Sequence, residues 1–477
     1  MPRAGFYEIL FRKSGGGWPT NQSLAPGDVF ARDVRLPGRA GSRIAVVNVK
    51  HRGQLYKNSE LDGHSSIGAQ VSPSVLWHAH LALGFTGGTP VPRYHSRFGL
   101  LIEYNRRRHP NRFRNCETMA SELLVNFKEF WPRLREDILS ARDSIYIQTF
   151  ALEGDTVGLQ LSEALLSSRI ADKRILADSF TRIVLSDRFR YSPANLFDRS
   201  LRDEARSTAA MTRALRNRGV KIRYTNGYGA TPRRLLSRNH KKLIVIDDRT
   251  AYVGGINFSE HNASWHDMMI RMDDAPAVAF LTKDFRSTWD GGDQMASRSF
   301  EGVELLTLDG RANRTAFQRV IDLIDGAERS IFVESPYITF PFYERLREAS
   351  RRGVDVKVVT PEANNWSYFS NYARLESARS NIDLRLYQRG MTHLKAMLID
   401  DQYLIAGSSN FDYLSYRLYQ EIVAIITDAG TIADFRERVM LPDLANSLAV
   451  DCQASALRKR WLGLQTKVFD AALTILT

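Results

Sequence analysis

One pattern constrains this chain more than any other: His-x-Lys-x-x-x-x-Asp occurs twice. The first copy is His240, Lys242 and Asp247, and the second is His393, Lys395 and Asp400. The copies continue in step. Each aspartate is followed by a small-residue turn, Gly254-Gly255-Ile256-Asn257 and Gly407-Ser408-Ser409-Asn410, and each asparagine lies 17 positions after its histidine. An acid follows in both, Asp267 at 27 positions past His240 and Glu421 at 28 past His393. A single His-x-Lys carries no information. Two copies with matched downstream offsets mark an internal duplication.

The residues after each lysine are apolar: Leu243 to Ile246, then Ala396 to Ile399. Uninterrupted apolar runs of this length suit a strand buried on both faces. In an extended segment, His and Lys two apart point to one side. The duplication extends upstream, where Ala141-Arg142-Asp143-Ser144-Ile145-Tyr146 matches Ala327-Glu328-Arg329-Ser330-Ile331-Phe332. Apolar spacing predicts helices over 123–139, 157–166, 211–218, 317–324 and 342–351. Strands are expected at 144–150, 182–185, 221–224, 330–335 and 354–359. This βαβ order argues for an α/β fold whose sheets carry helices on their faces. The halves join between 298 and 310. The expected domains are 1–115, with short strands at 29–31 and 44–49, then 116–305, 306–450, and a C-terminal helix over 451–477.

Two such strands facing each other would gather two histidines, two lysines and two asparagines around one centre, which has the chemistry of a phosphate site. Lys242 and Lys395 supply charge to non-bridging oxygens, and Asn257 and Asn410 add neutral donors. Histidine, with an unperturbed pKa of ~6.5, can attack phosphorus or donate a proton to a leaving alkoxide. Asp267 and Glu421 would hydrogen-bond the far ring nitrogens and fix their tautomers. These residues need no metal or cofactor, and none is expected. His78 and His80 lack a third ligand and read as ordinary histidines. His261 reads as a surface residue and His266 as a neighbour of the site.

The duplicated motif resembles the phospholipase D superfamily. The Gly-Gly-x-Asn turn, and Trp265-His266-Asp267 ahead of Met268-Met269-Ile270-Arg271-Met272, are most similar to its cardiolipin synthase branch. The resemblance covers roughly residues 117–477 and leaves the first 115 without a role. It implies two phospholipase D-like α/β/α sandwich repeats facing each other in one chain. It also implies a phosphatidyltransferase that works through phosphohistidine, with His240 as nucleophile and His393 as acid, although the residues themselves allow the reverse. Asp247 and Asp400 complete the catalytic motif and are implied to be mainly structural. Phosphatidylglycerol is the implied acceptor and donor. The rivals are a phospholipase D, in which water accepts, and a metal-independent phosphodiesterase acting on nucleic acid.

The formal net charge is +13, which favours an anionic partner. The expectation is anionic phospholipid at a membrane surface, because no nucleic-acid-binding module is recognisable. Met1 to Lys13 does not read as a signal peptide, and no apolar window reaches the ~18 residues of a span. A cytoplasmic, peripherally bound protein is therefore expected, with Cys116 and Cys452 reduced. The arginine-dense run 97–114 is either a solvated basic face or a phosphate patch. In the tail, Leu457, Trp461, Leu464, Val468, Leu473 and Leu476 share a helical face, for docking on the body or lying in a membrane interface. Since one chain carries both motifs, oligomerisation is not required for the active site.

Overall fold

The computed structural model describes residues 121–227 and 236–450 in full, the backbone of three N-terminal strands, and Trp461 and Leu464. The readings of His78 and His80, the run 97–114, both cysteines and the rest of the tail lie outside the described residues. Trp461 and Leu464 are helical and exposed. Residues 1–110 and 111–477 form separate compact units. In the first, Val29–Arg35, Arg43–His51 and Gln54–Tyr56 pair in sequence as an antiparallel sheet, where short strands were expected.

The second unit holds two mixed sheets built to one plan. In the first, the strand order is Glu122–Val125, Met268–Met272, Thr250–Gly254, Leu243–Ile246, Ser144–Thr149, Asp172–Asp178 and Lys221–Thr225. The second repeats this order with Val303–Asp309, Gln420–Ile426, Tyr403–Gly407, Ala396–Ile399, Ser330–Glu334, Asp355–Pro361 and Asp383–Tyr387. It adds one strand at each edge, Ala296–Phe300 and Ser447–Ala449. The motif strands Leu243–Ile246 and Ala396–Ile399 are therefore central. They lie antiparallel to Ser144–Thr149 and Ser330–Glu334 respectively, with Ile244 opposite Ile147 and Leu398 opposite Phe332.

Burial explains the unbroken apolar runs. Leu243 and Val245 face a core shared with Ala396 and Leu398 of the other half. Ile244 and Ile246 face an outer core with helices Asn126–Ser140, Thr156–Ser167 and Arg199–Asn217. Met397 and Ile399 do the same against Asn313–Asp325 and Phe342–Arg351. Helix Ala275–Trp289 fills the central layer with Val278, Leu281 and Phe285. A polar residue anywhere in these four-residue strands would lose its hydration without gaining a partner.

Two elements differ from expectation. Leu123 and Leu124, read as helical, belong to the edge strand Glu122–Val125, which pairs with Met268–Met272. Asn126, at φ 65°, turns the chain from that strand into the helix. The stretch 182–185 gives only a two-residue strand, Val184–Leu185, after a short 3-10 turn. The full strand is Asp172–Asp178, which begins Asp-Lys-Arg and so lacks an apolar signature. Lys173 is nonetheless buried there, and its ammonium donates to the carbonyls of Leu165 and Ser168.

Candidate active site

Each motif strand starts one residue after its lysine, so both His-x-Lys segments lie just before the strand, at the edge of the central layer. Their backbones are tied across the two halves. His240 N–H donates to the Gln420 carbonyl at 2.9 Å, and Gln420 N–H returns a bond to Arg238. The counterpart joins His393 N–H to the His266 carbonyl at 2.7 Å and His266 N–H to Met391. Both seams are parallel bridges, Asn239 beside Gln420 and His266 beside Thr392.

This stitching crosses the acids over. His240 Nδ1 lies 2.9 Å from Glu421 Oε1, and His393 Nδ1 lies 2.7 Å from Asp267 Oδ2. Each histidine is thus oriented by the acid of the opposite half. The sequence supplied both acids, but their spacing could not tell which histidine each would reach. Each carboxylate is placed to accept a proton held at Nδ1, an arrangement that would leave Nε2 of each ring open for chemistry.

The carboxylates are themselves held. Glu421 receives hydroxyls from Ser408 at 2.5 Å and Ser415 at 2.9 Å, and is fully buried. Asp267 receives its own neighbour's amide, Met268 N–H, at 2.8 Å. The turn residues give them room: a Cβ at Gly255 would sit 2.3 Å from Asp267 Oδ1. At the matching position of the other half, Ser408 uses its side chain to hold Glu421.

The two lysines are as buried as the histidines. Lys242 Nζ donates to the His240 carbonyl at 2.9 Å. Lys395 Nζ contacts the His393 carbonyl and lies 2.9 Å from its Nδ1. Burial, the largest influence, pulls Lys242 down to about 7 and Lys395 down to about 8. Burial also lowers both histidines, and His393, beside Lys395, falls to about 3. Lys395 weighs on His240, and Lys242 on His393, so the four groups share one electrostatic centre. Burial pushes Asp267 up, but the Lys395 charge and the His393 hydrogen bond outweigh it and hold the carboxyl low.

Asn257 and Asn410 are buried at the turns. Asn257 Nδ2 donates to Asn262 at 3.0 Å, while its Oδ1 receives Ala151 N–H at 3.4 Å. Asp247 and Asp400 stand apart, beyond the far ends of the motif strands. At φ 55° and 53°, they turn back to accept amides from residues 142–144 and 328–330. They close the turns that lead into Ser144–Thr149 and Ser330–Glu334 and make no hydrogen bond to the histidines.

Phe150, Tyr419 and Tyr337 carried no sequence signal, whereas Trp265 and His266 lie in the segment already singled out. Phe150 and Tyr419 flank the His240 ring at 4.9 and 5.6 Å, and Trp265 and Tyr337 flank His393 at 5.0 and 6.2 Å. His266 bonds Asn126 and Asp443, each at 2.8 Å, and stacks on Tyr387. His261 is a correction. It is mostly buried between Glu153 and Asp187, and those acids outweigh burial to raise it to about 10. Its ring meets Trp265 edge-on.

Comparison with known proteins agrees with this architecture. The family model described as "Cardiolipin synthase, PLD-like domain" matches residues 134–289 and 320–440. Cardiolipin synthase B of Salmonella typhi is 29% identical over 384 residues, covering 73% of this chain and 86% of the relative. The major cardiolipin synthase of Bacillus subtilis (strain 168) is 25% identical over 384 residues, covering 74% of each. Among solved structures, phosphatidylserine synthase of Haemophilus influenzae Rd KW20 shares the fold. It has a TM-score of 0.53 and 14% identity, over 74% of this chain and 94% of that one. With both motifs complete and joined by two backbone seams, the chain belongs to the cardiolipin synthase family of phospholipase D-like enzymes.

Proposed function

We propose that the enzyme transfers a phosphatidyl group from one phosphatidylglycerol to the hydroxyl of another, yielding cardiolipin and glycerol. The reading rests on the crossed pairing of two buried histidines with Glu421 and Asp267, between two lysines. Nε2 of neutral His240 attacks phosphorus, and the P–O bond to glycerol breaks. His393 gives that oxygen its proton, leaving a phosphatidyl-histidine. The hydroxyl of a second phosphatidylglycerol then attacks, its proton passes to His393, and the P–N bond breaks. Lys242 and Lys395 neutralise the non-bridging oxygens throughout.

The low pKa of His393 belongs to the free site. A bound diester adds a negative charge beside it and draws a proton onto the ring. Exchange between diesters conserves the bond type, so no activated donor is required. The aromatic walls beside both rings support transfer over hydrolysis, because they limit water at the phosphohistidine.

The test is incubation with phosphatidylglycerol vesicles, read by lipid mass spectrometry. Cardiolipin with an equal amount of glycerol is expected. Phosphatidic acid as the sole product would make the enzyme a hydrolase. Unchanged lipid together with metal-independent cleavage of DNA or RNA would assign the site to nucleic acid.

A further inference from the structure

The segment that follows strand Asp172–Asp178 has no role in the chemistry, yet its composition is unusual. Among the described residues it exposes Phe189, Tyr191 and Phe197, the last at 76%. The other half contributes Trp366 and Tyr368, at 60% and 58% exposed. Large aromatic rings left in water at this density mark an interaction surface. The span 182–202 also carries five arginines and only two aspartates. Both acids are already engaged: Asp198 pairs with Arg188 at 2.7 Å, and Asp187 with His261 and Asn365.

The segments that carry these rings are tied to the active site from both halves. Phe180, at the root of the segment, stacks on Phe150 at 5.1 Å, and Phe150 meets the His240 ring. Asp187, at its tip, lies 3.6 Å from His261, which meets Trp265, which meets His393. Asn365, next to Trp366, donates to Asp187 at 3.1 Å and accepts the Tyr337 hydroxyl at 2.7 Å. Tyr337 again meets His393. The Asp187–Asn365 hydrogen bond thus joins the two aromatic-bearing segments, and Tyr368 reaches His393 through Phe369 and Tyr337.

We infer that these exposed aromatics, Phe189, Tyr191 and Phe197 with Trp366 and Tyr368, dock on the surface of an anionic phospholipid bilayer and hold the active-site end of the two segments against it. The inference rests on the phosphatidyltransfer reading for its purpose. Trp and Tyr favour the headgroup layer, Phe goes deeper, and the neighbouring arginines meet anionic lipid. A headgroup phosphate reaching buried His240 and His393 would then not have to leave the interface far behind. The bilayer suits this surface better than a protein partner, because the segment that bares the aromatics also carries five arginines, with Arg190 over the Tyr191 ring.

The experiment uses the full chain and the double variant Phe197→Ser/Trp366→Ser. Both residues are exposed, so an unchanged unfolding midpoint is expected and is checked first. Co-sedimentation with phosphatidylglycerol vesicles should weaken at least tenfold, and wild-type binding to phosphatidylcholine vesicles should be weaker than to phosphatidylglycerol. Turnover of phosphatidylglycerol in vesicles should fall in step, while turnover of a short-chain, monomeric phosphatidylglycerol stays at the wild-type rate. Wild-type vesicle binding by the double variant would overturn the inference and place the membrane contact elsewhere. Equal loss on monomeric lipid would overturn it too, by making these aromatics part of the substrate site. Wild-type turnover is the separate control: a protein that converts neither lipid sinks the transferase reading, while sedimentation still decides the surface.

Discussion

Glu421→Gln is the most informative single change, because the crossed pairing predicts its effect on the opposite half. The substitution keeps the side chain's size inside a fully buried site and removes its charge. His240 loses a charge-assisted hydrogen bond made at 2.9 Å. Bonds to charged groups contribute ~1.5–3 kcal/mol, or roughly 10–150-fold in rate. The amide adds a second penalty. If its NH2 faces Nδ1, the ring proton moves to Nε2 and blocks the attacking nitrogen. Loss of tautomer control can bring the total to about 10⁴-fold. A fall of about 10²- to 10⁴-fold in formation of the phosphoenzyme is therefore expected, measured by rapid quench with a labelled lipid. Asp267→Asn should act on His393 instead. Its defect should shrink on a substrate with an activated leaving group, such as p-nitrophenol, which needs no acid. Glu421→Gln should gain little from that substrate. An exchange of these two phenotypes would reverse the histidine roles. A loss below about tenfold for both would refute the orienting function itself. In a double-mutant cycle, Glu421→Gln should cost almost nothing once His240 is alanine, and full additivity would refute the contact.

Two further outcomes follow from the charges. Lys242 at about 7 and Lys395 at about 8 are protonated in acid and lose their charge as pH rises through those values, so kcat/KM should fall above about pH 8. A bound diester raises both pKa values, so kcat should hold to higher pH, and coincident profiles for the two parameters would contradict this. Asp247→Ala removes the acceptor of three backbone amides on a half-exposed turn and should cost ~1–3 kcal/mol of stability. Thermal unfolding should show the loss while activity per folded molecule is retained, and loss of activity without loss of stability would make Asp247 catalytic.

The parts legible in the sequence were those fixed by local order. The motif strands announced themselves because four consecutive apolar residues fit a strand covered on both faces. The shared fold of the halves followed from Ser144 and Ser330 opening equivalent strands. What escaped depended on packing between distant segments. No spacing could show that Glu421 would reach His240, since the crossing is made by backbone seams at Gln420 and His266. Strand Asp172–Asp178 was hidden by its charged start, because Lys173 is satisfied by carbonyls from a preceding helix. Leu123 and Leu124 continued the helical period by chance, and only pairing with Met269 and Ile270 makes them a strand. His261 looked exposed because its partners, Glu153 and Asp187, lie far from it in sequence.

The crossed pairing also bears on how such a chain can diverge. A lone half brings one histidine together with the acid for a histidine it does not have, so neither half is a smaller enzyme. While two identical copies must assemble, every change is made twice, and the two rings stay equivalent. Joined in one chain, each position can be altered alone. Gly255 beside the shorter Asp267, and Ser408 beside the longer Glu421, are two such independent solutions to the same task. Under the proposed roles, one chain thereby lets His240 be tuned as nucleophile and His393 as acid independently.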